Sequence, residues 1–169
     1  MTPSVELTPE ELVPYLRTGG SPIAGELRRR AETLIAEAPI DARGVWKAED
    51  GKIYLCGTIG ARFDIWQRRL AVLGATDALL AQAIGAAAVE KVMDAIEAEA
   101  KAATPGEWGP RRSPGYGPLP LADSAVILDK LDATKRIGVS LTSDFLLVPS
   151  KSVTAVLSGL IDVRAAGVV

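Results

Sequence analysis

The spacing of apolar positions changes several times along the chain, and each change marks an element. "SVEL", residues 4–7, alternates and predicts a short strand. "TPEE" follows, with Thr8 as helix N-cap, Pro9 at the first helical position and Glu11 completing a capping box. That helix is expected to reach about Arg17 and stop at Gly19-Gly20, with Pro14 weakening its last turn. Residues 24–38 put Leu27, Ala31, Leu34 and Ile35 on one helical face, and Pro39 ends the run. "GVWKAEDGKIYLCG", 44–57, alternates about Asp50-Gly51 and predicts a hairpin with a primed turn. A third helix is expected from about Arg62 to Leu73, with Trp66, Leu70 and Leu73 inward, broken at Gly74.

The fourth helix, about 78–102 with Asp77 as its cap, is the longest. Leu80, Ile84, Ala88, Val92 and Ile96 form one stripe, widened by Val89 and Met93. Gly85, amid "IGAAAV", reads as a place where another element packs closely. Residues 103–120 break all periodicity. A fifth helix follows at about 123–133, capped by Asp123 or Ser124, with Val126, Ile127 and Leu131 inward. "IGVSLTS", "FLLVP" and "SVTAVLSGLI" are strand candidates, with "PSKS" turning between the last two. The order β-α-α-β-β-α-α-loop-α-β-β-β does not alternate strand with helix. It predicts an α+β domain, with helices packed on a mainly antiparallel sheet, rather than a doubly wound one. The 169 residues suit one domain spanning 1–169.

Composition narrows the chemistry. The chain is 48% hydrophobic but only 5% aromatic, so its core is built from Ala, Leu, Ile and Val. A net charge of −2 and a pI near 5.3 argue against a nucleic-acid partner. The basic run "ELRRR", 26–30, lies in a helical pattern and reads as a solvated face. There is no histidine and one cysteine, Cys56. Ser-His-Asp and Cys-His catalysis and Cys/His zinc sites are thereby excluded within the chain. Cys56, at a strand end with no base to activate it, reads as a buried structural thiol. A lone cysteine, no visible signal peptide and no uncharged run of about 18 apolar residues together predict a cytoplasmic protein without a membrane span. The carboxylates Glu97, Glu99, Asp129 and Asp132 read as helix-face residues, and Lys151 and Arg164 as surface charges.

Two irregular stretches remain. "GTIGARFD", 57–64, has neither the lysine of a phosphate loop nor the glycine spacing of a dinucleotide site. It reads either as a tight turn from strand into helix or as helix-start amides open to a ligand. The second stretch, "ATPGEWGPRRSPGYGPLP", is too long for a plain connection and too rich in Trp108, Tyr116 and Leu119 to be left in water. Within it, Pro114 and Pro118 keep the backbone extended, and Gly115 and Gly117 let a flat group approach. Tyr116 offers a ring face and a hydroxyl. An arginine ahead of such a unit can take a carboxylate or phosphate bidentately, or it can pair with nearby acids while the loop wraps the core.

"RRSPGYGPLP" resembles the Arg-x-x-Pro-Gly-Tyr segment of the activation domain of cobalamin-dependent methionine synthase. "IGVSLTSDFLLVPSKSVTAVLSG", 137–159, is similar to the end of that domain, and "AQAIGAAAVEKVMDAIEAE" to its long helix. "LTPEELVPYLR" and "GTIGARFD" resemble the small stand-alone form of the family, the activation subunit. The resemblance covers most of the chain and is densest over 78–159. The large enzyme's Trp-x-Pro-Phe-Phe segment and its late tyrosine pair have no match in these residues.

The resemblance implies a bound S-adenosylmethionine, with cobalamin carried by the partner protein. Arg111 would pair with the ligand's carboxylate and leave Arg112 as a surface charge. The backbone of Ser113, Pro114, Gly115, Tyr116 and Gly117 would grip the amino-acid and adenine portions, with Tyr116 near the corrin face. The protein would present the methyl donor for reductive reactivation rather than supply catalytic side chains. Its partners would be a corrinoid protein, or a methionine synthase lacking its own activation domain, and a flavoprotein or other electron donor. Two alternatives stay open: a module that docks on a corrinoid protein without this ligand, and a stand-alone enzyme reusing the pocket.

Overall fold

In the computed structural model, which describes residues 1–16 and 21–159, a three-stranded antiparallel sheet divides two apolar cores. Its strands are β1 (Arg43–Glu49), β2 (Lys52–Thr58) and β5 (Ser152–Ser158), in the order β1-β2-β5. The first two form the expected hairpin. Asp50 and Gly51 both take positive φ, 52° and 69°, as a primed turn requires, and bring Glu49 opposite Lys52. β2 is the central strand and is buried on both faces. Ile53 and Leu55 join one core, while Tyr54 and Cys56 join the other.

The long helix α3 (Ala75–Ala103) lies across the first face. Its stripe of Leu80, Ile84, Ala88, Val92 and Ile96 is buried as its spacing predicts. The approach is close because Gly57 of β2 has no side chain. A Cβ there would come 2.8 Å from Val92 Cγ1 and 2.9 Å from Met93 Sδ. Against α3 pack α2 (Ala61–Leu73) and a 3-10 helix, Pro9–Tyr15, with α1 (Gly25–Glu37) beside them. The opposite face is covered by α4 (Asp123–Leu131) and α5 (Ala133–Ile137), which bury Ile127, Leu128, Leu131 and Ile137. A separate two-stranded ladder, β3 (Ser140–Leu141) and β4 (Leu147–Val148), precedes β5.

The structure departs from the sequence expectations at several places. "SVEL" forms no strand. Met1 alone exchanges two hydrogen bonds with Gly44, while Val5 and Leu7 pack on the core. The segment after Thr8 is 3-10 rather than α, as the ring of Pro14 would clash in an α-helix with the carbonyl of Glu10, four residues back. The Glu11 carboxylate does accept from the Thr8 N–H at 2.8 Å. Its expected stop at Gly19-Gly20 and the end of the last strand candidate lie outside the described residues.

Leu73 is 72% exposed, and Phe63 takes the inward place beside Leu70 that it was expected to fill. Asp77 does not cap α3. The helix starts earlier, after Gly74, and Asp77 is held in its first turn by Arg30 at 2.8 and 2.6 Å. The expected helix 123–133 is broken into two by Asp132 in the left-handed region, at φ 49°. Val126 is half exposed, and Leu128 is buried in its stead. Ser124 is buried and Ala122 takes the N-cap position.

Candidate functional site

The segment ahead of α4 is the irregular loop of the sequence, and it is ordered by the free edge of β5. Trp108 bridges Gly159, and Gly109 N–H donates to Ser158 O at 2.9 Å. Arg112 and Val156 exchange both main-chain bonds, 3.0 and 2.8 Å. Residues 108–112 thus run along the sheet as a broken fourth strand. Beyond Arg112 the chain turns sharply. Tyr116 N–H donates to Ser113 O at 3.2 Å and Gly115 N–H to Leu119 O at 2.9 Å. Gly115 and Gly117 take φ of 87° and 60°, in the region that favours glycine.

Arg111 points back onto α3. Nη2 donates to Glu90 Oε2 at 2.6 Å, and Nη1 donates to Asp94 Oδ1 at 3.0 Å and to Glu97 Oε2 at 3.3 Å. Its side chain is only 18% exposed. Lys101 also bonds Glu97, at 2.6 Å. The acids beside Arg111 therefore outnumber the cations, and they are felt nearby. Tyr15 has its phenol pushed above the usual range by burial, and then by the charges of Glu90 and Asp94.

Between this loop, the β3–β4 ladder and the start of β5 lies a cleft of about 910 Å³. Of the residues the sequence singled out, Arg111, Ser113, Pro114, Tyr116 and Gly117 line it. Gly115 does not, and its role is to turn the chain. Tyr116 stands at the mouth, 78% exposed. The far wall was not foreseen. It consists of Thr142, Phe145 to Val148, Ser150 and Ser152 to Thr154, with Leu121 and Ser124 on the α4 side and Glu90 on the α3 side. Phe145, Leu146, Val148 and Leu121 are all exposed, so the mouth is apolar. The one available signal was the run "FLLVP", whose large side chains exceed what a two-residue strand buries.

This wall is fastened from behind. The Asp64 carboxylate of α2 accepts from Ser150 N–H and from Ser150 Oγ–H, both at 2.8 Å. Ser152 Oγ–H donates to Pro149 O at 2.7 Å or to Thr58 Oγ1 at 2.8 Å, and Ser124 and Thr154 hydroxyls pair at 3.0 Å in the cleft floor. Lys151, expected on the surface, is half buried. It donates to Gln82 Oε1 at 2.8 Å, and burial lowers its pKa. Arg164 lies outside the described residues.

The remaining candidates are structural. "GTIG" is a turn, its groups used within the protein: Ile59 N–H donates to Lys151 O, Gly60 N–H to Thr58 Oγ1, and Ile59 O accepts from Asp41 N–H. Cys56 is fully buried, and burial pushes its thiol up to about 12. In "ELRRR", Arg28 pairs with Glu10 and Glu32, and Arg30 with Asp77. Glu99 accepts the Trp46 indole N–H at 2.8 Å. Among the described residues no acidic or thiol cluster could hold a metal ion, and no helix is long and apolar enough to cross a membrane.

No family model and no curated protein matches the chain. Among solved structures it is similar to the reactivation domain of MetH, in a crystal structure bound to AdoHcy. The TM-score is 0.67 over 94% of this chain and 78% of that one, at 16% sequence identity. The arrangement of helices on a mainly antiparallel sheet is therefore the fold of the MetH reactivation domain.

Proposed function

We propose that this protein binds S-adenosylmethionine, and its product AdoHcy, in the cleft beside residues 113–118, and serves the reductive reactivation of a corrinoid-dependent methyltransferase. The observation that carries the reading is the cleft itself. In the fold of a domain solved with AdoHcy bound, the Ser113–Gly117 loop walls a cavity of about 910 Å³. That volume falls within the roughly 300–1,000 Å³ of small-molecule sites. The cleft combines an apolar mouth, charged side chains at one end and a hydroxyl-lined floor, as a zwitterionic nucleoside needs.

S-adenosylmethionine would supply the methyl group and leave as AdoHcy, and the partner's cobalt would accept it once a flavoprotein or other electron donor had reduced it. The protein's own part is to hold the donor and exclude water. The chain has no histidine, and none is needed for that role. Isothermal titration tests the reading: saturable heat is expected with both S-adenosylmethionine and AdoHcy. Folded protein giving none at millimolar ligand overturns it.

The apolar mouth favours a second reading, that the protein is a docking module alone. Tyr116, Phe145, Leu146 and Val148 form a patch that a corrinoid protein would cover. In that case Tyr116→Ala abolishes capture of a cobalamin-loaded domain while added S-adenosylmethionine changes nothing. Under the first reading the ligand strengthens capture.

A further inference from the structure

Three charged side chains line the cleft: Glu90, Arg111 and Arg112. The resemblance to the activation domain gives a ligand carboxylate to Arg111. The ion pairs point elsewhere. Arg111 already donates to three carboxylates, and with Lys101 counted the charge around it is still negative. A carboxylate arriving there would share Arg111 with Glu90, Asp94 and Glu97 and be repelled by all three.

Arg112 is differently placed. Its main chain is paired with Val156, and residues paired directly across an antiparallel ladder project to the same face. Val156 packs into the core beneath α4, so Arg112 lies on the α4 face of the sheet edge. Arg111, one residue away, lies on the α3 face with the acids. Arg112 is exposed, and its guanidinium has no ion pair or hydrogen bond among the described residues. The floor on its side is uncharged: Ser113, Ser124 and Thr154.

We infer that Arg112, not Arg111, is the anion-binding residue of the cleft and takes the carboxylate of the ligand's amino-acid portion. Arg111 is a strut that holds the loop to α3. The assignment rests on the ligand reading above. Titration with S-adenosylmethionine and with its decarboxylated analogue, which keeps the ammonium, sulfonium and adenosine, separates the two claims.

Wild-type protein is expected to prefer the intact ligand by about tenfold or more, the scale of a bidentate charge-assisted contact. Arg112→Ala loses that preference and binds both alike, with an unchanged melting temperature. Arg112→Lys keeps only part of it, because an ammonium lacks the planar fork. If Arg112→Ala retains the full preference, the assignment is wrong and the ligand reading stands. If wild-type protein binds neither compound, the ligand reading falls and the assignment with it.

Discussion

Three side chains show how single positions are held. Asp64 accepts two bonds from Ser150 and ties the cleft wall to α2. Asp64→Ala removes both acceptors, and we expect a loss of about 1–2 kcal/mol in urea unfolding, with faster amide exchange at Ser150. Cys56 is a filler of the second core, and with its thiol pushed up to about 12 it should not react. A thiol reagent at pH 8 is expected to label the unfolded chain fully and the native protein hardly at all. Rapid native labelling would contradict the burial. Arg111 is nearly enclosed by acids. Arg111→Ala leaves Glu90 and Asp94 without this cation, leaves Glu97 to Lys101 alone and frees the loop, so roughly 1–3 kcal/mol of stability should go and residues 113–118 should become the first site of proteolytic cleavage.

At the scale of elements, the packing of α3 on the sheet depends on what β2 lacks. A methyl group on Gly57 would meet Val92, Met93 and Ile96 together, at 2.8, 2.9 and 3.0 Å. Gly57→Ala is therefore expected to cost about 1–3 kcal/mol, read by denaturant midpoint at unchanged m-value. The elements legible beforehand were those with strong local signals: the stripe of α3, the Asp50-Gly51 hairpin, α1 and the helix after residue 122. The illegible ones were decided by partners far away in sequence. Leu73 and Val126 fit helical stripes, yet they face water because Phe63 and Leu128 meet the cores first. Residues 108–112 carry no strand pattern and are straightened only because β5 offers them an open edge.

The molecule as a whole is laced by carboxylates joining separate elements. Glu10 pairs with Arg28, Glu11 with Lys91, Asp77 with Arg30, and Glu49 with Lys130. All four carboxyls are held below their usual values, chiefly by hydrogen bonds from those cations. A depressed folded pKa contributes stability above the unfolded value that is lost as pH falls through the folded one. For Glu49, whose carboxyl drops from 4.5 to about 2, the window lies between those two values. The melting temperature should thus be steady above about pH 4.5 and fall below it, and Glu49→Gln should soften the fall. A melting curve equally stable at pH 2 and pH 6 would contradict this.

The sequence by itself determined the α+β class, the hairpin, the long helix, the inertness of Cys56 and the loop on which the candidate site is built, because these follow from local periodicity, turn chemistry and composition. Tertiary structure alone decided the cleft's far wall and the surroundings of the two neighbouring arginines. Arg111 and Arg112 are the same residue type one position apart. Pairing with Val156 turns them to opposite faces of the sheet edge, one toward three acids and one toward an uncharged floor. No spacing along the chain encodes which face holds the acids, since that depends on where α3 crosses an edge formed more than forty residues later.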